Sequence, residues 1–130
     1  MSTPTELAKA AFGTEKTTYS GMLQEKLAAW QGRNFGAATV EQMALGVSEE
    51  AGELSHAVLK HIQKIRGMED MDAFREAAGD AIADCTIYLM QIATILRLDY
   101  LTLVQETARK VMERDWKARP NDAHVVSSEP

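Results

Sequence analysis

The sequence predicts an all-α protein, a bundle of four helices, and three observations predict it. The only prolines stand at positions 4, 120 and 130, so the long middle of the chain carries no proline break. Apolar residues recur at helical spacing through most of that stretch. Strand-like alternation of apolar and polar residues is absent.

The first helix is expected from Thr18 to Gln31, with Met22, Leu23, Leu27 and Trp30 on its apolar side. Gly32-Arg33-Asn34-Phe35-Gly36 reads as a loop bounded by glycines. Thr39, with Gln42 three residues on, has the composition of a capping box and opens the second helix. Its stripe is Met43, Val47, Ala51, Leu54, Val58, Ile62 and Ile65, and Gly67 is the expected stop. A third helix begins near Asp70 or Asp72 and runs to about Leu96, with Phe74, Ala78, Ala81, Cys85, Tyr88, Ile92 and Leu96 on one side. Arg97-Leu98-Asp99 is a short connection to a fourth helix from Tyr100 to Trp116, whose apolar face is Leu103, Val104, Ala108, Val111 and Met112. Residues 18–117 form one domain on this reading, between a flexible lead-in at 1–17 and a flexible tail at 118–130.

The 130 residues carry a net charge of −5, which argues against general binding to nucleic-acid backbones. A single cysteine, Cys85, permits no internal disulfide and fits a reducing compartment; it falls at the centre of its stripe and reads as core. No run approaches the roughly 18–20 apolar residues of a membrane span, and no signal-peptide pattern opens the chain. The expectation is a cytoplasmic protein, acting in the host cytoplasm if a phage encodes it, with no membrane and no nucleic acid among its partners.

Acidic residues give the chain its chemistry. Glu50 and Glu53 are spaced i, i+3 on the second helix, and Asp80 and Asp84 are spaced i, i+4 on the third, so each pair shares one helix face. By helical angle both pairs stand on the shoulder of the apolar stripe. A solvated surface charge is the ordinary explanation for any one of them. Surface helices, however, favour Glu-to-Lys pairs at i, i+4, whereas here Glu49 stacks on Glu53 and Glu76 on Asp80. Acids converging between packed helices call for a hard divalent cation, Mg²⁺ or Mn²⁺, and such ions commonly handle phosphate. Lys60 and Lys64 lie near one line with Glu53, Arg66 follows, and Lys110 and Arg114 project from the fourth helix. A row of cations beside metal ions suits a triphosphate. His56 completes one Glu-x-x-His, but His61 and His124 supply no second copy for a di-iron bundle, and His56 is expected to be exposed. Trp30 and Phe35 flank a polar loop, and either can stack on a base or pack internally.

With Glu49-Glu50-x-x-Glu53 and a later acidic pair ahead of Ile87-Tyr88-Leu89, the chain resembles the MazG-like pyrophosphohydrolases of the all-α NTP pyrophosphatase superfamily. The likeness covers about residues 20 to 117. It extends to Trp30-Gln31-x-x-Asn34-Phe35, Gly52-Glu53-Leu54-Ser55-His56-Ala57, Ile65-Arg66-Gly67 and Arg114-Asp115-Trp116, segments similar to small single-domain phage and bacterial members such as the MazZ branch. The family's second motif is E-x-x-D; here Ala81 stands three before Asp84, and Asp80, one further back, is the substitute on the same face.

The resemblance implies a four-helix MazG-like fold completed by oligomerisation into a homodimer or homotetramer. It implies hydrolysis of an NTP or dNTP, a purine deoxynucleotide such as dGTP or dATP in the first instance, to the monophosphate and pyrophosphate. Glu50, Glu53, Asp80 and Asp84 would be ligands for two to three Mg²⁺ or Mn²⁺ ions, with Glu49, Glu50 and Glu53 as the catalytic acids and Glu49 as the base for the attacking water. Lys60, Lys64, Arg66, Lys110 and Arg114 would bind phosphate, and Trp30 and Asn34 the base. Two other classes compete: a non-catalytic helical interaction module with an acidic docking patch, and a di-iron carboxylate bundle.

Overall fold

A computed structural model describes residues 19–121; the expected lead-in at 1–17 and most of the tail lie outside them. The described residues form four α-helices and no strand: α1 (Tyr19–Phe35), α2 (Val40–Gln63), α3 (Met71–Ile95) and α4 (Tyr100–Met112). The chain divides after Tyr100 into two compact units, Met1–Tyr100 and Leu101–Pro130.

In the first unit, α2 and α3 form the main interface, and α1 packs on α3. The start of α2 is fixed as its sequence predicts. The Thr39 side chain accepts from the Gln42 backbone N–H at 3.2 Å, and Gln42 Oε1 accepts from the Thr39 N–H at 3.2 Å. Its end comes earlier than Gly67. Lys64 takes a left-handed conformation (φ 56°) as C-cap, and its N–H reaches the His61 carbonyl. Ile65 therefore lies outside the helix, in a turn that continues through Arg66 (φ 57°) and Gly67 (φ 80°). His61 closes that turn: its Nδ1–H donates to the Met68 carbonyl at 2.6 Å, and its ring stacks on Phe74 at 4.1 Å and 14°.

The segment Gly32–Gly36, expected as a loop, is instead the last turn of α1 as far as Phe35. A helix tolerates Gly32, and it is Gly36 at φ 80° that ends it. α4 stops at Met112, short of Trp116, because the chain turns there: the Asp115 carboxylate accepts from the N–H groups of Lys117 and Ala118 at 3.1 and 3.0 Å.

The packing surface of α2 differs from its expected stripe. The buried residues of α2 are Met43, Gly46 and Ala57, while Ala51 and Val58 are exposed and Ile62 is 69% exposed. Ala81 is the buried counterpart on the middle of α3, and Cys85 is half-buried with its Sγ 4.0 Å from the Val47 carbonyl. Small residues bring the two backbones close, so the contact face turns toward Gly46 and Ala57 and away from the bulkier stripe. The antiparallel register sets Gly46 beside Tyr88 and His61 beside Phe74.

Gln24 locks α1 to the end of α3. It is almost wholly buried; its Nε2 donates to Thr94 Oγ1 and the Leu98 carbonyl, both at 3.1 Å, and its Oε1 accepts from the Tyr100 N–H at 3.0 Å. All of its amide capacity is used inside the protein, which is what permits such a polar group to be buried.

Candidate functional site

Two concave regions lie side by side in the first unit. The first is a pocket of about 310 Å³ between α2 and α3, lined by the carboxylates Glu50, Glu53, Asp80 and Asp84 and by His56, Lys60 and Arg66. The second is an open groove of about 660 Å³ bounded by α1, α2 and α3, with Trp30, Phe35, Met43, Ile87 and Tyr88 among its walls. Glu50 and Asp84 line both, so the two regions meet at that pair.

The helix register brings these groups together. Glu50 lies one turn beyond Gly46, and Asp84 one turn before Tyr88, so the contact of Gly46 with Tyr88 carries the two carboxylates to facing positions. Partial burial, then repulsion from Asp84, Glu49 and Glu53, pushes the Glu50 carboxyl above its ordinary range. Glu50 is half-buried, whereas Glu53, Asp80 and Asp84 are exposed at the pocket. Among the described residues no three His, Cys, Asp or Glu side chains stand as a preformed metal cage. The four carboxylates that line the pocket are hard oxygen donors, which suit Mg²⁺ or Mn²⁺, and the repulsion that adds to burial in raising the Glu50 pKa is what a cation would relieve.

The remaining expected residues separate into groups. Lys60 and Arg66 line the pocket, and Lys60 Nζ donates to Gln63 Oε1 at 3.0 Å. Lys64 is the C-cap of α2 and is not among the lining residues, and neither is Glu49, whose effect on the site is its charge beside Glu50. Lys110 and Arg114 belong to the second unit, where the Arg114 guanidinium lies 6.0 Å from the centre of the Trp116 ring. Trp30 lines the groove and meets Phe35 edge-on at 5.6 Å. Asn34 does not line it; its amide donates to the Trp30 carbonyl at 2.8 Å.

Four polar lining residues, His56, Gln31, Gln42 and Gln91, were not among the expected site residues. His56 is exposed as expected, yet it faces the pocket, one helical turn from both Glu53 and Lys60. Gln31, Gln42 and Gln91 line the groove. The signal for Gln42 was present but pointed only to its capping role, and glutamines on helices carry no mark of their own. No family model, curated protein or solved structure matches this chain.

Proposed function

We propose that the chain is a metal-dependent nucleotide pyrophosphohydrolase of the MazG-like kind, converting a (d)NTP to the (d)NMP and pyrophosphate. The observation that carries this reading is the meeting of the groove and the carboxylate pocket at Glu50 and Asp84. A flat base fits against the aromatic and aliphatic walls of the groove, next to Trp30 and Tyr88. The triphosphate then extends into the pocket toward Lys60 and Arg66, and the phosphate nearest the nucleoside comes to rest beside the shared pair. Of the two anhydride bonds, this favours breaking the one between the α- and β-phosphates.

Glu50, Glu53, Asp80 and Asp84 would hold Mg²⁺ or Mn²⁺, two to three ions per site. When bound, such ions offset phosphate charge and acidify the attacking water. Lys60 and Arg66 neutralise the β- and γ-phosphates and hold the departing pyrophosphate. Their place at the end of the pocket away from the groove is what gives the substrate its direction. A second copy of the chain is proposed to cover the apolar residues left open on α2, where Leu45 is 71% and Ile62 69% exposed, making a homodimer or homotetramer.

The test is incubation with each of the eight common NTPs and dNTPs, with Mg²⁺ or with EDTA, in ¹⁸O-water. Monophosphate carrying the label, together with pyrophosphate, is expected only with metal. Label in orthophosphate would place attack at the γ-phosphorus and overturn the reading. No turnover, with equal melting curves in metal and chelator, would point to an acidic interaction module instead.

A further inference from the structure

Arg66 shares the carboxylate pocket with four acids and pairs with none of them. Among the described residues its guanidinium makes no ion pair and no hydrogen bond, whereas Lys60, the other cation of the pocket, is tied to Gln63. The backbone beneath Arg66 is unusual as well. Lys64, Arg66 and Gly67 all take positive φ, at 56°, 57° and 80°. Glycine adopts such angles freely, but a side chain with a Cβ does not, so Lys64 and Arg66 are strained. Strain of this kind persists only where the surrounding contacts over-determine the conformation.

The turn has bonds of its own. The N–H groups of Lys64 and Ile65 donate to the carbonyls of His61 and Lys60 at 3.1 and 3.2 Å, and the Met68 N–H donates to the Ile65 carbonyl at 3.1 Å. These close the chain on itself and on the end of α2, and none of them crosses to the body of α3. His61 supplies that link. A carbonyl only accepts, so Nδ1 carries the hydrogen in its 2.6 Å bond to Met68. The same ring lies flat on Phe74, in the first turn of α3, at 4.1 Å and 14°. One half-buried side chain thus joins the end of α2, the turn and α3. Arg66 and Met68 line the pocket from the turn, and Ala77 and Ala81, on the Phe74 side of α3, line it from the helix; His61 does not line it.

We infer that His61 is a positioning residue: it clamps the turn at 64–68 against α3 and so keeps Arg66 in the pocket, open to the terminal phosphates of the substrate. The inference rests on the proposed function, in which Arg66 meets the β- and γ-phosphates, and adds how that arginine is kept in place. Without the clamp the turn is free to relax from its two strained φ values, and Arg66 moves with it. A guanidinium held in advance loses less freedom when it binds a phosphate than one that must first be ordered. Arg66 touches the phosphates; His61 acts only through Arg66.

His61→Phe is the discriminating variant, because it keeps a ring to stack on Phe74 and removes only the donor to Met68. The probe is inorganic pyrophosphate, titrated by calorimetry in Mg²⁺ into wild type, His61→Phe, Arg66→Ala and the double variant. Arg66→Ala is expected to weaken binding by roughly tenfold or more, and His61→Phe by roughly threefold or more. The double variant should bind no more weakly than Arg66→Ala alone, since a residue acting only through Arg66 has nothing left to hold. A merely structural role would instead make the two losses multiply. Phe74→Leu, which removes the stack and leaves the hydrogen bond, is read in the same cycle, so the test does not hang on one variant folding. Hydrogen exchange should quicken at Met68 in His61→Phe and not at Gln42 in the distant capping box. Pyrophosphate binding unchanged in both His61→Phe and Phe74→Leu, losses that multiply, or equal quickening at Gln42 overturns the inference. No effect of Arg66→Ala on binding does so too. The hydrolase reading is judged separately, by turnover of the nucleotides. Pyrophosphate binding with this pattern in a protein that hydrolyses nothing removes the proposed function and keeps the role of His61. Turnover with multiplying losses does the reverse.

Discussion

Gly46 on α2 and the ring of Tyr88 on α3 are packed so closely that a Cβ at Gly46 would lie inside the tyrosine ring's contact surface. Glu50 and Asp84 stand one turn from this contact, at the same end of it and facing each other across the antiparallel helices, so the distance between the two helices at Gly46 sets the distance between the carboxylates. Gly46→Ala forces either the ring or the helix to move. The expected cost is about 1–3 kcal/mol in denaturant unfolding, by overpacking, with a loss of turnover in the folded fraction. Gly52, on the same helix with nothing within 4 Å of its would-be Cβ, is the control. Gly52→Ala should stabilise by about 0.5–1 kcal/mol, since alanine is the better helix former. Equal effects at the two positions would show that propensity, not the approach of Tyr88, governs Gly46.

Glu50 gives the protein a pH dependence whose sign can be worked out. Its carboxyl is raised in the folded chain above the ordinary value of 4.5, by partial burial and then by Asp84, Glu49 and Glu53. The folded state thus holds this proton more tightly than the unfolded state does. Its contribution to stability is fully present below the ordinary glutamate value and is lost as the pH rises through the raised one. Glu50→Gln in chelator should match wild type at acid pH and melt higher than wild type near neutrality. Thermal melts across pH 3 to 8, read as the difference between the two proteins, check this. Wild type falling below the variant at acid pH rather than at neutrality would reverse the sign and reject the assignment.

How much of this was legible in the residues depends on what each feature is made of. Helix positions followed from apolar recurrence, and the start of α2 followed from Thr39 and Gln42, because caps are local chemistry. The acids on α2 and α3 were legible as pairs, since i, i+3 and i, i+4 spacing needs no partner helix to interpret. The facing surface of α2 was not. Summing large apolar side chains points to Val58 and Ile62, whereas close packing selects Gly46 and Ala57, whose smallness is their qualification. Glu50 consequently lies in the α2–α3 contact zone itself, half-buried, instead of on its shoulder. Gln24 shows the same limit: a polar residue becomes core only because Thr94, Leu98 and Tyr100 arrive from far along the chain to satisfy it.

That network makes Gln24 a sensitive position. Gln24→Leu keeps the approximate volume but strands the Tyr100 N–H and removes the acceptor that Ser20 uses. The expected loss is about 2–4 kcal/mol, the sum of hydrogen bonds lost and partners left unsatisfied in a buried setting. Hydrogen exchange at Tyr100 should rise by more than at the Thr39 cap, which Gln24 does not touch. Uniform acceleration at both would mean a global effect rather than the loss of this junction.

Asp80 and Ala81 test how the second acidic pair is built. Asp80 and Asp84 both line the carboxylate pocket, and Ala81 lines it too while being almost fully buried. If Asp80 is a ligand, Asp80→Asn should raise the Mn²⁺ concentration giving half-maximal rate, and Asp84→Asn should raise it further, because Asp84 also lines the groove proposed to take the nucleoside. Glu53→Gln should lower kcat by well over tenfold, the size of a lost 1.4 kcal/mol step. The double variant Asp80→Ala with Ala81→Glu moves the acid to the buried side of the pocket. Burying that carboxylate should lower the melting temperature in EDTA, and Mn²⁺ should restore it more than it does for wild type, since the cation offsets a larger desolvation cost. Recovery of part of the activity lost in Asp80→Ala would accompany that rescue. A half-maximal Mn²⁺ concentration unchanged by Asp80→Asn, with no Mn²⁺-dependent rescue of the double variant, would mean that Asp80 is a solvated helix charge and that the pocket works through Glu50, Glu53 and Asp84.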